Sequence, residues 1–476
     1  MTTQYDNFTK EELISTVVIL RTELDQIKRL IYGSKSERFI PPTDANQIAL
    51  SLEVEQQPAP AEQVQSITYN RTKRSSVVVH SGRTPLAAHL PRVEIIIEPK
   101  EDISGLKEIG SVITEQLEFD PGKFFVKQYI RHKYVSAQGG VLIGELPSRP
   151  IEKGIPGPGL LASITIEKYA DHLPLYRQME RFKRAGINIA SSTMSDWIAS
   201  ACELITPLYD VLKKKVLSAD YLQVDETPIK VLDRDKKGKT HRGYYWVYRD
   251  VKSNLVLFDY REGRGREGPG ELLKAFQGYL QTDGYGVYDA FNSKSIKLFH
   301  CMAHARRYFE KALENDKERA EYALMQMQYL YAIERYCREK QVSIAERQKY
   351  RQEDGLPVLK EFNSWLKAQI IQVTPKSPIG KAMAYILSRW DAFCIYIEDG
   401  QLEIDNNLVE NSIRPIAIGR KNYLFAGSHA SAQRAAMIYS LLGTCKLKGV
   451  EPFTWLKNVF DIIPDYKANR LEELLP

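Results

Sequence analysis

The sequence is poor in cysteine, and its cysteines are scattered. The 476 residues include five, at positions 202, 301, 337, 394 and 445. None lies within a few residues of another, as paired zinc ligands do. The spacing argues against a disulfide framework and against a zinc ribbon, and it indicates a reducing compartment.

Long apolar runs are also missing. The chain has no stretch of about 18 apolar residues, the length that a membrane-spanning helix needs. Residues 1–10 are polar, unlike a secretory signal, so we expect a cytoplasmic protein. An apolar fraction of 43% and a charged fraction of 26% are near globular averages, and the length allows about two to four domains. A net charge of +6 permits a polyanionic partner without requiring one.

Residues 9–31 predict one amphipathic helix. Its apolar residues recur every three or four positions, as along a coiled-coil seam; they are Leu13, Val17, Leu20, Leu24, Ile27 and Ile31. Residues 1–40 are therefore interpreted as a dimerisation helix, although the pattern also fits a helix packed on its own domain. Residues 41–70, rich in Gln, Pro and Ala, predict a flexible linker.

A basic arm follows the linker. The charges between residues 67 and 92 are all positive; they are Arg71, Lys73, Arg74, Arg83 and Arg92. Such an arm would contact phosphates, or it would only keep a tail soluble. Residues 71–150 also contain short alternating runs, at 93–97 and 124–134, which predict a small β-rich module.

Residues 151–218 are predicted to be helical after a boundary of glycines and prolines at 154–159. Helices are predicted at 160–169, 173–184 and 193–216, with a turn at Gly186 and an N-cap at Ser191 and Ser192. The arrangement resembles a helix-turn-helix DNA-binding region, but an ordinary helical hairpin would give the same pattern. The second helix carries four cations, Arg177, Arg181, Lys183 and Arg184.

From residue 221 the apolar period changes to two. Strands are predicted at 221–232, 243–251, 255–260, 279–283 and 296–301, and helices at 269–276 and 287–291. The order β-β-β-α-β-α-β is that of an RNase H-like fold. We therefore predict an α/β protein with a mixed five-stranded RNase H-like core at 219–302 and 396–450, a helical insertion at 303–395 and a helical tail at 451–476.

Two aspartates of this sheet are candidates for metal chemistry. Asp225 is in the middle of the first strand and Asp283 ends the fourth, and these strands are neighbours in an RNase H-like sheet. Two carboxylates placed in this way can converge on one cation, although either one alone fits an ordinary hydrogen-bonded aspartate. Glu226, which alternation sends to the opposite face, and Asp259 are weaker candidates.

A third carboxylate is expected from a helix that packs after the fifth strand. A helix predicted at 407–413, capped by residues 405–407 and limited by Pro415, carries Glu410. The alternative is that Glu410 is a solvated helix residue. His304, just past the fifth strand, either assists near the site or is a core or capping residue.

The segment after Glu410 is basic. Residues 411–450 contain no acid and include Tyr423 and Phe425. Their cations are Arg414, Arg420, Lys421, Arg434, Lys446 and Lys448. Acids that hold metal ions beside bases that hold a strand suit a phosphodiester substrate; the alternative is a basic helix face. The acids would bind two divalent ions, Mg²⁺ with Mn²⁺ as a substitute.

Several motifs together resemble the transposases of the bacterial insertion-sequence-66 family. They are VDETP (224–228), QTDGYGVYDAF (281–291), CMAHARRYF (301–309), SPIGKAMAYILSRWDA (377–392) and EIDNNLVENSIRPIAIGRKNYLFAGS (403–428). The resemblance implies that Asp225, Asp283 and Glu410 are the catalytic Asp-Asp-Glu triad and metal ligands, separated by the helical insertion.

The resemblance also implies a function and partners. Such a protein binds the terminal inverted repeats of its element as double-stranded DNA, cuts to free 3′-OH ends and joins them to target DNA. It would be associated with the nucleoid and act as a homodimer or larger assembly, with companion proteins from the same element. Family members usually bind zinc through paired cysteines in the β-rich module. The corresponding residues, 98–110 and 131–140, contain none, so no zinc is expected.

Two other functions fit parts of the sequence. A DNA-binding or assembly protein derived from a transposase, no longer able to cut, agrees with the missing cysteines but not with three intact acids. A nuclease acting on RNA–DNA hybrids or junctions shares the fold and metals but leaves the heptad helix and the basic arm unexplained.

The heptad helix generates a prediction about assembly. Removing residues 1–69 is expected to lower the molecular mass in solution, because the predicted dimerisation helix is lost. Light scattering on the shortened chain beside the full chain measures this. Equal subunit numbers would reject the dimerisation role.

Overall fold

The computed structural model describes residues 86–476, apart from 87, 89, 105, 121, 137–138 and 234–238. The predicted dimerisation helix at 1–40 and the linker at 41–70 lie outside these residues, as do Arg71, Lys73 and Arg74.

Four strands form a small sheet ahead of the helices. β1 (Arg92–Ile96) pairs in parallel with β3 (Lys123–Val135), which pairs antiparallel with β2 (Lys107–Asp120) and β4 (Val141–Ile143). Gly122, at φ +91°, lies in the tight connection between β2 and β3. The alternating runs at 93–97 and 124–134 are strands, and β2 is a strand that the sequence analysis did not predict.

Three helices follow: α1 (Pro158–Tyr169), α2 (Leu175–Arg184) and α3 (Ser191–Leu217). Gly186, at φ +80°, makes the predicted turn between α2 and α3. The predicted capping by Ser191 and Ser192 is wrong, because the N-cap position is Ala190 and no side chain caps the helix. Burial of Met194 and Trp197 fixes where α3 begins instead.

A five-stranded mixed sheet forms the centre of the structure. Its strands are β5 (Tyr221–Leu232), β6 (Thr240–Asp250), β7 (Leu255–Arg261), β8 (Gly278–Thr282) and β9 (Ile296–His300), in the order β7-β6-β5-β8-β9. The first three are antiparallel, and β8 and β9 run parallel to β5. The predicted mixed α/β architecture is confirmed, and the strand bounds are close to the predicted ones.

Helices cover both faces of this sheet. The consecutive residues Tyr245, Trp246 and Val247 of β6 are all buried, which requires cover on both faces. The short helix α4 (Glu267–Leu273) lies so close to Trp246 that a Cβ at Gly268 would meet the indole at 2.6 Å. A 3₁₀ turn at Tyr288–Phe291 follows β8, where a helix was predicted.

The block between β9 and the C-terminal helices is helical, as predicted. Its helices are α5 (Met302–Ala312), α6 (Lys317–Glu339), α7 (Ile344–Tyr350), α8 (Leu356–Ile370), α9 (Pro378–Leu387) and α10 (Trp390–Cys394). A π-helical turn, Arg351–Gly355, joins α7 to α8, and a 3₁₀ turn, Ile395–Glu398, follows α10. These helices share an apolar core with Tyr221 of β5 and Phe299 of β9, and in this core Phe309, Phe362 and Phe393 are almost fully buried.

Three helices end the chain: α11 (Asn407–Asn422), α12 (His429–Lys448) and α13 (Pro452–Ile462), followed by 3₁₀ turns at Ile463–Asp465 and Ala468–Leu474. In α12, Ser440 lies against β7, where its Oγ accepts a hydrogen bond from the backbone N–H of Phe258 at 2.7 Å. The residues after 451 are helical, as predicted.

Helix α11 begins at Asn407, as predicted, but ends later than predicted. It continues through Pro415 to Asn422 instead of ending at residue 413. The carbonyl that Pro415 leaves without a partner belongs to Asn411, which is exposed to water, while burial of Ile416 holds the second half of the helix in place. Asn406 occupies the N-cap position, but its side chain makes no capping hydrogen bond.

No helix in the described part of the chain is both long and apolar enough to cross a lipid bilayer.

One buried ion-pair cluster joins the helical block to the chain just before α11. Arg351 and Glu334 are each 1% exposed and bind each other through two hydrogen bonds, Nε to Oε1 at 2.7 Å and Nη2 to Oε2 at 2.9 Å. Arg351 also donates to the carbonyl of Leu402 at 2.7 Å. Arg347 bridges Glu334 to Glu403. Each buried charge therefore has opposite charges or carbonyls around it.

Replacing one partner of this cluster should destabilise the protein. Arg351→Ala is expected to lower the free energy of unfolding by about 3 kcal/mol or more, because Glu334 stays buried with part of its charge unpaired. Urea unfolding followed by tryptophan fluorescence measures the change, since Trp365 and Trp390 pack against the same core. Arg335→Ala changes an exposed arginine next to Glu334 on α6 and should change the free energy of unfolding by less than about 0.5 kcal/mol. Equal effects of the two variants would contradict the prediction.

Candidate active site

Asp225 lies in the middle of β5 between buried neighbours. Its Oδ1 accepts a hydrogen bond from the backbone N–H of Glu226 at 2.8 Å. Burial raises the pKa of Asp225 well above its ordinary range, and the charges of Glu226, Asp283 and Glu410 raise it further. No cation among the described residues forms an ion pair with Asp225. The carboxylate is therefore surrounded by negative charge without a paired cation.

Asp283 directly follows β8, the parallel neighbour of β5. The last paired position of the two strands joins Gln223 to Gln281, and Asp225 and Asp283 each come two residues later. Residues two apart along a strand share a face, and neighbouring strands are about 4.8 Å apart. The register thus brings the two aspartates together. Asp283 is held by the N–H of Tyr285, which donates to its Oδ1 at 2.8 Å.

Two buried glutamines hold the start of α11 against these strands. Gln223 Oε1 accepts the backbone N–H of Val409 at 3.1 Å, and Gln223 Nε2 donates to Gln281 Oε1 at 2.9 Å. Gln281 Nε2 donates in turn to the carbonyl of Glu403 at 2.9 Å, a partner 122 positions away. Since Glu410 follows Val409, these hydrogen bonds fix where Glu410 enters the site.

Tyr221 completes the glutamine cluster. Its hydroxyl donates to Gln281 Oε1 at 2.6 Å and accepts the backbone N–H of Glu403 at 3.2 Å. Gln223 Nε2 also donates to the carbonyl of Asp405 at 3.0 Å. Because Tyr221, Gln223 and Gln281 are all buried, each needs these partners to offset the loss of water.

Glu410 is paired with an arginine from the helical block. Arg307 Nη2 donates to both carboxylate oxygens of Glu410, at 3.0 Å each. Arg307 Nη1 donates to His304 Nε2 at 3.0 Å, and that nitrogen lies 3.8 Å from Glu410 Oε1. A cavity of about 440 Å³ opens here, lined by Arg307, Asn407, Glu410, Asn411 and Arg414. Glu410 is therefore accessible from solvent.

His304 is close to the acids, as one of its two predicted roles requires. Burial lowers the pKa of His304, and the charge of Arg307 lowers it further, against the opposing charges of Asp283 and Glu410. In its neutral form, His304 can accept the hydrogen bond from Arg307 Nη1 through its Nε2. Arg307 was not among the predicted site residues, although it lies in the motif at 301–309.

Glu226 does not face the same partners as Asp225. Its Oε1 accepts from Arg264 Nε at 2.9 Å, and its Oε2 accepts from the hydroxyl of Tyr288 at 2.9 Å. Burial raises its pKa, while the hydrogen bond from Arg264 lowers it. Glu226 is therefore engaged in internal hydrogen bonds, and Asp259 is similarly paired with Arg261 at 2.6 Å.

No group of three His, Cys, Asp or Glu side chains in the described ranges is arranged to hold a metal ion. Both carboxylate oxygens of Glu410 accept hydrogen bonds from Arg307. The register of β5 and β8 places Asp225 and Asp283 side by side.

The predicted DNA-contacting cations within the described residues differ in their exposure and in their partners. Arg181 pairs with Glu167, and Arg420 donates to the carbonyl of Pro228, so both hold the structure together. Arg434 is partly buried beside Ser431. The others are exposed: Arg177, Lys183, Arg184, Arg414 and Lys421.

Comparisons with known proteins cover almost the whole chain. Residues 153–434 match the family model described as "Transposase IS66 family", residues 440–476 match "IS66 C-terminal element", and residues 19–95 match "Transposase C of IS166 homeodomain". The chain is 32% identical to uncharacterized protein y4qI of Sinorhizobium fredii (strain NBRC 101917 / NGR234), over 96% of this chain and 88% of that protein. It is 31% identical to uncharacterized protein y4jD of the same strain, over 98% of this chain and 95% of that protein.

The glutamine cluster generates a prediction about α11. Gln223→Met is expected to speed hydrogen exchange of the backbone amides at 405–410, because the N–H of Val409 loses one of its two acceptors and keeps only the carbonyl of Asn406. Exchange followed by mass spectrometry on peptides from this segment measures the effect. Gln277→Met changes an exposed glutamine in the same way and should leave the exchange unaltered. Unchanged exchange in both variants would show that Gln223 does not hold the helix.

Proposed function

The chain belongs to the IS66 family of transposases, and we propose that it binds the terminal inverted repeats of an insertion sequence, cuts to free 3′-OH ends and joins those ends to target DNA. The observation that carries the proposal is the placement of Asp225 and Asp283 on neighbouring strands, with the helix that carries Glu410 held against the same strands by the glutamine cluster. In this proposal the three acids are the catalytic triad.

The sheet is proposed to be an RNase H-like core. Its support is the strand order β7-β6-β5-β8-β9, with three antiparallel strands followed by two parallel ones. The helical block from α5 to α10 is then an insertion between the fifth strand and the helix that carries Glu410. The long sequence separation of the acids agrees with this arrangement.

The donor chemistry of the site fits divalent cations. Asp225 is a buried carboxylate with negative neighbours and no cation partner, so a cation there would relieve the repulsion that raises its pKa. We propose that Asp225, Asp283 and Glu410 hold two Mg²⁺ ions, or Mn²⁺ as a substitute, since carboxylate oxygens suit both. Such ions supply activation of the attacking oxygen and stabilisation of the leaving oxygen in phosphoryl transfer.

Arg307 is proposed to have two partners in turn. While it binds Glu410, it neutralises that carboxylate and keeps it from acting as a ligand. When Glu410 turns to the aspartates, Arg307 is left in the open cavity with Arg414, where both guanidinium groups can bind phosphate oxygens. His304 would then hold Arg307 in orientation through the hydrogen bond to Nη1.

Double-stranded DNA is proposed to bind through the exposed cations. Lys183 and Arg184 at the end of α2 and Arg414 and Lys421 on α11 are exposed, as phosphate contacts require. Arg71, Lys73 and Arg74 are proposed to add contacts from the N-terminal arm. Dimerisation, companion proteins and a location at the nucleoid remain part of the same proposal, and no zinc is expected to be needed.

The triad assignment is tested by removing single charges. Asp225→Asn and Glu410→Gln are each expected to abolish cleavage and strand transfer and to leave DNA binding within about twofold, because each removes a ligand but keeps the shape of the side chain. The measurement uses a labelled duplex that carries the terminal repeat of the element, with Mg²⁺ or Mn²⁺.

Asp289→Asn is the matched control, because its carboxylate is exposed on the nearby 3₁₀ turn. It should cut like the unmodified chain. Cleavage by Asp225→Asn would reject the triad. Binding without cutting by the unmodified chain, even with companion proteins added, would instead favour a transposase-derived DNA-binding protein.

A further inference from the structure

A cavity of about 170 Å³ lies between the helices α1 to α3 and the sheet. Residues from α1 and α3, from β5 and β6 and from the segment 416–439 line it. The side chains that carry the following argument are Lys168, Tyr245, Tyr423, Phe425, Arg434 and Tyr439. The proposed triad does not use this cavity.

The charge of the cavity is positive. Among the lining residues the only charged side chains are Lys168 and Arg434. Lys168 has no acid partner within the described residues; its ammonium group lies 5.4 Å from the ring centroid of Tyr169 and 5.3 Å from that of Tyr423. Burial lowers the pKa of Lys168, which is the effect of desolvation without a counter-charge. An anionic group would supply that counter-charge.

The walls of the cavity suit a flat ring. Tyr245 and Tyr439 are buried in it, while Phe425 is 43% exposed at its edge. An engineered protein cavity of about 150 Å³ is large enough to bind benzene, so the space here admits a ring of similar size. A ring together with an anion is the chemistry of a nucleotide.

The cavity and the acids share one face of the structure. Ile229 lines the cavity and follows Asp225 by four residues on β5, so it points to the same side about 13 Å further along. Ile416 lines it too and follows Glu410 by six residues on α11, about 9 Å along the helix. These distances equal about three or four nucleotides of a stacked strand.

An exposed apolar side chain adjoins the cavity. Leu424, beside Phe425 in the chain, is 68% exposed. Large apolar side chains in such positions insert between base steps and unstack them. A base displaced from its stack needs a receiving site, and enzymes that unstack a base receive it among aromatic and apolar side chains.

We propose that this cavity binds one unpaired nucleotide of the DNA strand that enters the acid site, with its base against Tyr423 and Phe425 and its phosphate near Lys168 and Arg434. This inference rests on the proposed function as a DNA transposase. It assigns to α11 and the loop after it a second contact with the same strand, a few nucleotides from the phosphate that is cut.

The test compares paired and unpaired DNA by fluorescence anisotropy in EDTA. The probes are a fully paired duplex, the same duplex with four unpaired nucleotides at one end, and forked duplexes with one abasic site at each unpaired position in turn. The unmodified chain is expected to bind the fork more tightly than the paired duplex. Phe425→Leu and Lys168→Gln should each weaken binding of the fork by roughly tenfold and that of the paired duplex by less than about twofold.

The abasic probes decide whether a base is bound. At one unpaired position, the missing base should weaken binding by the unmodified chain to the affinity that Phe425→Leu has for the intact fork. The same abasic site should not weaken binding by Phe425→Leu any further. Lys183→Gln, an exposed cation on α2, is the control and should weaken fork and duplex equally. Equal losses on both probes in Phe425→Leu, or no effect of an abasic site at any position, would overturn the proposal.

Two further arms separate the alternatives. Deoxyadenosine monophosphate that competes with the fork at micromolar concentration would indicate a free-nucleotide site and would also overturn the proposal. Asp225→Asn should keep the full preference for the fork. If the preference for the fork depends on Phe425 but the cleavage assay fails, the nucleotide-binding cavity is supported and the proposed reaction is rejected. If cleavage occurs without a preference for the fork, the reaction is supported and the cavity proposal is rejected.

Discussion

The buried hydrogen bonds of Gln223 and Gln281 are the constraint on which the candidate site depends. Their amides join β5 and β8 side by side and bind the backbone of the segment that leads into α11. A buried amide that loses a partner costs about 1–3 kcal/mol, so each bond of this cluster favours the others. The arrangement of the two strands that precede Asp225 and Asp283 is therefore coupled to the position of Val409, the residue before Glu410.

Two clusters of charged side chains, one that includes Glu403 and one that includes Glu410, lie at or near the start of α11 and differ in their balance of positive and negative groups. The cluster of Arg351, Glu334, Arg347 and Glu403 alternates positive and negative groups, which is what a stabilising network in the interior requires. The cluster around Asp225 gathers acids, and repulsion adds to the effect of burial on its pKa. Folding does not produce such an arrangement for stability alone, because it costs free energy in the absence of a cation. The contrast separates a structural network from a candidate site within one fold.

The sequence predicted most of the secondary structure, because alternating apolar residues report directly on strands that pack on a core. It also predicted that the strands that lead to Asp225 and Asp283 are neighbours, which follows from strand order. Contacts made by polar side chains between distant segments leave no such periodic signal. Arg307, which binds Glu410 from another helix, was missed for that reason, and so was the glutamine cluster. The predicted capping of α3 and the predicted end of α11 were wrong, because burial of apolar side chains outweighed local capping and proline preferences.

The passage of α11 through Pro415 has a consequence for the whole face of the sheet. A helix that ended at residue 413 would carry Glu410 alone, whereas the longer helix also carries Ile416 to the cavity. The helix is held at both ends: Gln223 binds the N–H of Val409, and Arg420 donates to the carbonyl of Pro228. Just beyond it, the N–H of Leu232 donates to the carbonyl of Ala426 at 2.8 Å. Both α11 and β5 run from the acids to the cavity, and they are joined at both ends, so they fix the distance between the two places. A DNA strand bound at the acids would therefore have a defined position at the cavity.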